Sequence, residues 1–170
     1  MDQQSAFSKK MENLQERKAE LQEVVKKYGN SDAGLWARID LAHQAYNAGQ
    51  YSEAVTYFKA AIEKAGSDNS VLPLLEYGLA NAYEQKNDLS DAKAQFLKLS
   101  AFKSFERQGY LGEARVQEKQ GDLIAALQSY QKVLNLGEKD QGNGNDWLVE
   151  KVRSLKASLA ASGKKAAGGK

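Results

Sequence analysis

Ala48-Gly49-Gln50-Tyr51, Lys86-Asn87-Asp88-Leu89 and Gln120-Gly121-Asp122-Leu123 are three copies of one punctuation, and the residues around them decide the fold. Asn87 and Gly121 are 34 residues apart; Gly49 and Asn87 are 38 apart, with the extra four assigned to the polar linker around Ala65 to Val71. Ahead of each turn, at one offset, stand Ala42, Ala80 and Ala114. Beyond each turn, again at shared offsets, come Ala54, Ala92 and Ala126, then Phe58, Phe96 and Tyr130, then Ala61, Leu99 and Val133. Self-similarity at a period in the thirties is the signature of stacked supersecondary units.

Each recurring residue has a physical task. A turn between two antiparallel helices often needs a left-handed backbone, which Gly takes freely and Asn tolerates. The alanines mark where two helices cross closely, and a larger side chain there costs roughly 1–3 kcal/mol. The aromatic fills the space beside that crossing, its burial contributing about 1.5–3 kcal/mol. Asp88 and Asp122 stand where they can cap the second helix of a pair.

The expected class is therefore all-α, a right-handed α-solenoid of antiparallel pairs. Helix 35–48 pairs with 51–65, helix 72–86 with 89–101, and helix 104–119 with 123–136, giving pair units 35–66, 72–102 and 104–137. Ser70 and Pro73 suit a helix start. Residues 1–34 form an N-terminal helix or half repeat, the helix covering 3–28 on the stripe Phe7, Met11, Leu14, Leu21, Val25 and Tyr28. That helix either packs on 35–48 or makes a coiled-coil contact with another chain. Glu138 to Asp146, with Gly142 and Gly144, reads as a loop. Asp146 opens a capping helix over 146–160 with the stripe Leu148, Val152, Leu155 and Leu159, and 161–170 reads as a disordered basic tail.

Composition narrows the function classes. The 170 residues suit one domain, and the chain has no cysteine, which removes disulfides and thiolate chemistry. The net charge of +2 hides an asymmetry: residues 151–170 hold six basic side chains and no acidic one, whereas the first 150 hold 18 basic and 22 acidic. An acidic body is a poor fit to nucleic acid. No apolar stretch approaches the roughly 18 residues of a membrane span, and Asp2 to Lys10 lacks the apolar core of a signal peptide.

The 34-residue pair resembles the tetratricopeptide repeat (TPR). Across residues 5–160 the chain is similar to the periplasmic domain of the YfgM-like family of bacterial TPR proteins. The resemblance is carried by LQEVVKKYGNSDAGLWARIDLAHQAYNAGQYSEAV at 21–55, the linker and pair at 66–99, GYLGEARVQEKQGDLIAALQSYQKVL at 109–134 and DWLVEKVRSLKASLA at 146–160. It implies an inner-membrane anchor upstream of Met1, a location on the periplasmic side, and work beside the Sec translocon and periplasmic chaperones. Glu113 and Gln117 depart from the pattern, standing where the third repeat is normally apolar. A soluble cytoplasmic adaptor or secretion chaperone, and a self-assembling TPR protein, are the alternatives.

A TPR solenoid presents a concave face lined by the first helix of each pair. Helical spacing puts Trp36, Ile39, His43, Tyr46 and Asn47 there, then Leu74, Tyr77, Asn81, Glu84 and Gln85, then Gln108, Leu111, Arg115, Glu118 and Lys119. Rings and amides mixed on one face suit a peptide partner. A clamp for a C-terminal carboxylate needs a Lys and paired Asn residues, but Ile39 and Tyr77 hold the early positions. His43 is the sole histidine, and nothing offers a nucleophile with a base and an orienting group. Gly142 and Gly144 lack the context of a phosphate loop. Glu53, Asp91 and Glu113 are expected on solvated faces without metal-ligand spacing. The expectation is a monomeric protein-binding scaffold, neither an enzyme nor a cofactor carrier.

Overall fold

The three turn residues adopt the backbone their role demands. Gly49, Asn87 and Gly121 have φ of 73°, 68° and 80°, and Asn87 is the one non-glycine with positive φ among the described residues. Asparagine tolerates that left-handed region better than most residues.

The computed structural model describes residues 3–67, 69–137 and 146–167, with side chains described over 12–67, 69–136 and 146–161. Every regular element among them is an α-helix. Two units divide the chain, Met1–Lys86 and Asn87–Lys170. The first holds α1 (Gln3–Tyr28), α2 (Asp32–Asn47), α3 (Tyr51–Ala65) and α4 (Leu72–Lys86). The second holds α5 (Leu89–Leu99), α6 (Glu106–Lys119), α7 (Leu123–Gly137) and α8 (Asp146–Ala167). Within each unit every helix packs on the next in sequence. The second expected pair, 72–102, is divided between the units, α4 belonging to one and α5 to the other.

The repeat register reappears as burial. In the first unit Ala42, Ala54, Phe58, Ala61 and Ala80 are buried; in the second, Ala92, Phe96, Leu99, Ala114, Ala126, Tyr130 and Val133 are. Ala54 on α3 and Ala126 on α7 are fully enclosed, so a branched side chain at either must push the crossing helix away. Ala54→Leu and Ala126→Leu are each expected to lower stability by roughly 1–3 kcal/mol in urea titrations. Full stability of both variants would show that these crossings are misassigned.

A second element of the repeat is an aromatic ring against a bare backbone. A Cβ built on Gly78 of α4 would lie 2.4 Å from Cε1 of Phe58 on α3. One built on Gly112 of α6 would lie 2.1 Å from Cδ1 of Phe96 on α5. Both units thus use one lock, an aromatic from a second helix seated on a glycine of the following first helix.

Several boundaries differ from expectation. Helix α2 begins at Asp32 instead of 35, because Ser31 caps it: its Oγ accepts the Gly34 N–H at 3.3 Å. Asp32 then places negative charge in the first turn, where the helix dipole favours it. Helix α5 stops at Leu99 and α6 starts at Glu106, both shorter than expected. The extra four residues of the first spacing do not sit in the linker. Helix α3 has 15 residues and α5 has 11, so the difference is about one added helical turn. Asp122 caps as expected, its Oδ1 accepting the Ala125 N–H at 3.0 Å. Asp88 holds the N-cap position of α5 but makes no capping hydrogen bond with its side chain.

Helix α1 packs along α2 and touches α3. Gln22 Nε2 donates to the Tyr57 hydroxyl at 3.1 Å, Lys18 pairs with Glu53 at 2.7 Å, and Arg17 with Asp40 at 3.3 Å. Lys64 Nζ donates to the Asn30 carbonyl at 2.6 Å, fastening α3 to the α1–α2 turn. Helix α1 thus packs on α2 within the chain, while Leu14 and Tyr28 of its stripe stay exposed. Exposed ion pairs such as Arg17–Asp40 contribute only about 0–1 kcal/mol. The side chains of Phe7 and Met11 lie outside the described residues.

At the other end, α8 packs on α7, and its Leu148, Val152 and Leu155 are buried in one apolar cluster with Tyr130 and Val133 of α7 and Ala114 of α6. Full burial of each such aliphatic contributes about 1.5–3 kcal/mol. Helix α8 continues past the expected limit at 160 to Ala167, since its alanines and lysines are good helix formers. The loop expected over Glu138–Asp146, with Gly142 and Gly144, falls on 138–145, outside the described residues, as does 168–170 of the tail.

Candidate protein-binding site

On α2 the core takes Leu35, Ala37, Leu41, Ala42 and Ala45. What helical geometry leaves outside includes Trp36 and, two turns on, His43, with Tyr46 and Asn47 three and four residues beyond it. Helix α4 repeats the arrangement, burying Leu75, Leu79, Ala80 and Tyr83 and leaving Leu74, Tyr77, Gly78, Asn81 and Gln85. Between the two stripes lies a pocket of about 310 Å³, lined by His43, Tyr46, Phe58, Leu74, Tyr77, Gly78 and Asn81. Five of these seven are candidates from sequence alone.

The geometry of the wall follows from local contacts. The His43 ring stands edge-on to Phe58, centroids 5.3 Å apart and planes at 89°. Tyr46 is steadied by Tyr51 on α3, with centroids 5.5 Å apart. Asn81 Nδ2 donates to the Tyr77 carbonyl one turn back, at 2.7 Å, so its amide is held by its own helix. Sequence reasoning misses two wall residues as site components. It assigns Phe58 to the core, and Phe58 is both core and wall. Gly78 carries a signal, since Gly112 follows it at the 34-residue repeat spacing.

Two candidates leave the site. Ile39 and Glu84 are each 5% exposed, so neither can present a surface to a partner; helical spacing puts them on the right face, but neighbouring elements close over them. Trp36 is the reverse case, 55% exposed although α1 packs on its helix. Asn47 and Gln85 are exposed.

The third set of candidates is engaged within its own unit. Leu111 is half-buried against the α6–α8 core. The Arg115 guanidinium lies over the Phe96 ring, 5.4 Å from its centroid. Glu118 accepts from the Tyr130 hydroxyl at 2.7 Å and pairs with Lys151 at 2.6 Å, joining α6 to α7 and α8. Gln108 is half-buried and Lys119 exposed. Leu111 and Glu118 therefore serve the closing of the repeat end.

Glu113 is a further correction. Expected on a solvated face, it is 7% exposed. Gln117 Nε2 donates to Glu113 Oε1 at 3.1 Å, and Ser129 Oγ donates to Gln117 Oε1 at 2.9 Å. The other oxygen, Oε2, is buried with no hydrogen-bond partner among the described residues. Glu53 is partly exposed and paired with Lys18. Among the described residues no cluster of three or more His, Asp or Glu could hold a metal ion, and no helix is long and apolar enough to cross a membrane.

Known structures give the same reading of the architecture. A crystal structure of nearly identical TPR-like repeats from Podosopora anserina, described as those of a putative kinesin light chain, superposes with a TM-score of 0.62. The match covers 95% of this chain and 99% of that one, at 16% sequence identity. The fold is that of TPR-like repeats. No family model matches the sequence, and no curated protein does. Identity this low bears on fold alone, so the resemblance to the YfgM-like family rests on the sequence segments that carry it. TPR-like repeats as a class mediate protein–protein interaction and are as a rule non-enzymatic.

Proposed function

We propose that this chain is a protein-interaction scaffold, not an enzyme, and that it serves as the periplasmic domain of an inner-membrane-anchored TPR protein assisting translocation or envelope-protein biogenesis. The observation that carries the interaction reading is the α2–α4 pocket. It is a concavity of about 310 Å³ with rings and a neutral amide on its wall, set between first helices of a TPR-like stack. Sites that bind polypeptide segments combine such rigid aromatic area with a few polar groups. Support for the compartment comes from the sequence resemblance over residues 21–55, 66–99, 109–134 and 146–160.

Site-specific photocrosslinking tests both halves. A benzoylphenylalanine at position 74, beside the pocket, is expected to capture a translocon subunit or an emerging envelope protein in intact bacteria. The same group at position 63, exposed on α3 away from the pocket, is expected to capture none of these. Adducts confined to cytoplasmic proteins would replace the periplasmic reading with that of a cytoplasmic adaptor. Adducts of the chain with itself would favour a self-assembling protein, and equal adducts from both positions would remove the pocket from the interaction.

A further inference from the structure

The pocket's chemistry narrows what can enter it. No Lys, Arg, Asp or Glu lines it. A charged side chain entering such a wall gives up hydration and meets no lysine, arginine or carboxylate in return, an unfavourable exchange. The inner wall is the Phe58 ring, 1% exposed, beside the bare backbone of Gly78. Any side chain at position 78 would collide with that ring, so the glycine lets the ring seat against α4 and close the pocket's inner end. A volume of about 310 Å³ lies at the small end of ligand sites and has room for a large side chain.

A second apolar feature continues the strip. Trp36 precedes His43 by seven residues, two helical turns or about 10.5 Å along one face of α2. It is 55% exposed, and Leu74 on the pocket rim is 47% exposed. Large apolar side chains left open beside an uncharged pocket mark an interaction surface more specifically than scattered ones do.

We infer that the α2–α4 pocket receives one bulky, uncharged apolar side chain from within a partner polypeptide, and that it does not read a terminal carboxylate. This rests on the interaction reading above and specifies its partner. A carboxylate clamp built on lysine or arginine finds neither residue in this wall. The Asn81 amide, which such a clamp would aim at the ligand, donates to the Tyr77 carbonyl. The partner class that fits is an internal, exposed apolar segment, the kind of sequence an incompletely folded protein displays.

The test uses the intact ¹⁵N-labelled chain and small capped probes. N-acetyl-L-phenylalaninamide and N-acetyl-L-leucinamide are expected to shift the backbone resonance of Gly78 and the side-chain amide of Asn81. The α-amide of N-acetyl-L-aspartic acid should bind at least roughly tenfold more weakly. N-acetyl-L-phenylalanine, which keeps the ring but frees the carboxylate, should gain nothing over its amide. In Tyr77→Ala, checked for unchanged helical circular dichroism, binding of the phenylalanine amide should fall roughly tenfold. Tighter binding of the aspartic or free-carboxylate probe would overturn the assignment of an uncharged occupant. Absence of shifts at both reporters with every probe would overturn the pocket as a side-chain site. The crosslinks from position 74 would still judge the interaction face separately.

Discussion

Phe58→Ala is expected to lower the stability of the chain by about 3–5 kcal/mol, the usual cost of removing a buried aromatic ring. The ring is 1% exposed, stands edge-on to the His43 imidazole and fills the space over Gly78. Its loss leaves a cavity where α3 packs on α4. Urea titration followed by circular dichroism should show the midpoint falling. Phe58→Leu keeps most of the volume and should cost much less, about 1–1.5 kcal/mol. Equal stability of Phe58→Ala and the parent would mean that the ring is not packed between these helices.

Gly112→Leu is expected to cost about 3 kcal/mol or more, at or above the upper end of overpacking penalties. The first added atom alone would lie 2.1 Å from Cδ1 and 2.2 Å from Cε1 of Phe96, and the ring itself is fully buried. Phe96 cannot swing away without disturbing the α5–α6 contact. For a chain of this size the melting temperature should fall by roughly 6–12 °C. A control separates space from backbone conformation: Gly121 has φ of 80° but open space around it, so Gly121→Ala should cost only about 1 kcal/mol. Making room with Phe96→Leu should recover part of the loss in Gly112→Leu, a coupling of roughly 0.5–3 kcal/mol. If Gly112→Leu melts like the parent, the ring-on-glycine lock is absent.

The parts of the fold legible in the sequence are those where geometry restricts residue type. Positive φ at Gly49, Asn87 and Gly121 admits few residues, and a close crossing admits little beyond alanine, so both recur visibly. Helix α2 starts three residues ahead of its apolar pattern because its first turn depends on a single Ser31 hydroxyl in a polar stretch. The candidate site is legible as a stripe and illegible as a surface. Helical spacing puts Ile39 beside His43 and Glu84 beside Asn81, but whether each stays open is decided by neighbouring helices. Glu113 misleads for the opposite reason: a carboxylate normally signals solvent, and here the Gln117 amide, itself held by the Ser129 hydroxyl of α7, allows its burial.

The longer α3 bears on how such chains vary in length. An insertion of four residues rotates the downstream part of a helix by about 40° at 3.6 residues per turn, whereas one or two residues rotate it by about 100° or 200°. Growth by a whole turn therefore keeps an inward face inward, and Phe58 still meets Gly78 across a 20-residue interval where Phe96 meets Gly112 across 16. The added turn is also put to use, for it brings Lys64 to the Asn30 carbonyl. The length difference between α3 and α5 in this chain is close to one whole turn. An alignment that permits steps of four inside the second helix will recover copies that a rigid 34-residue ruler discards, and an engineer lengthening α3 has the same step available.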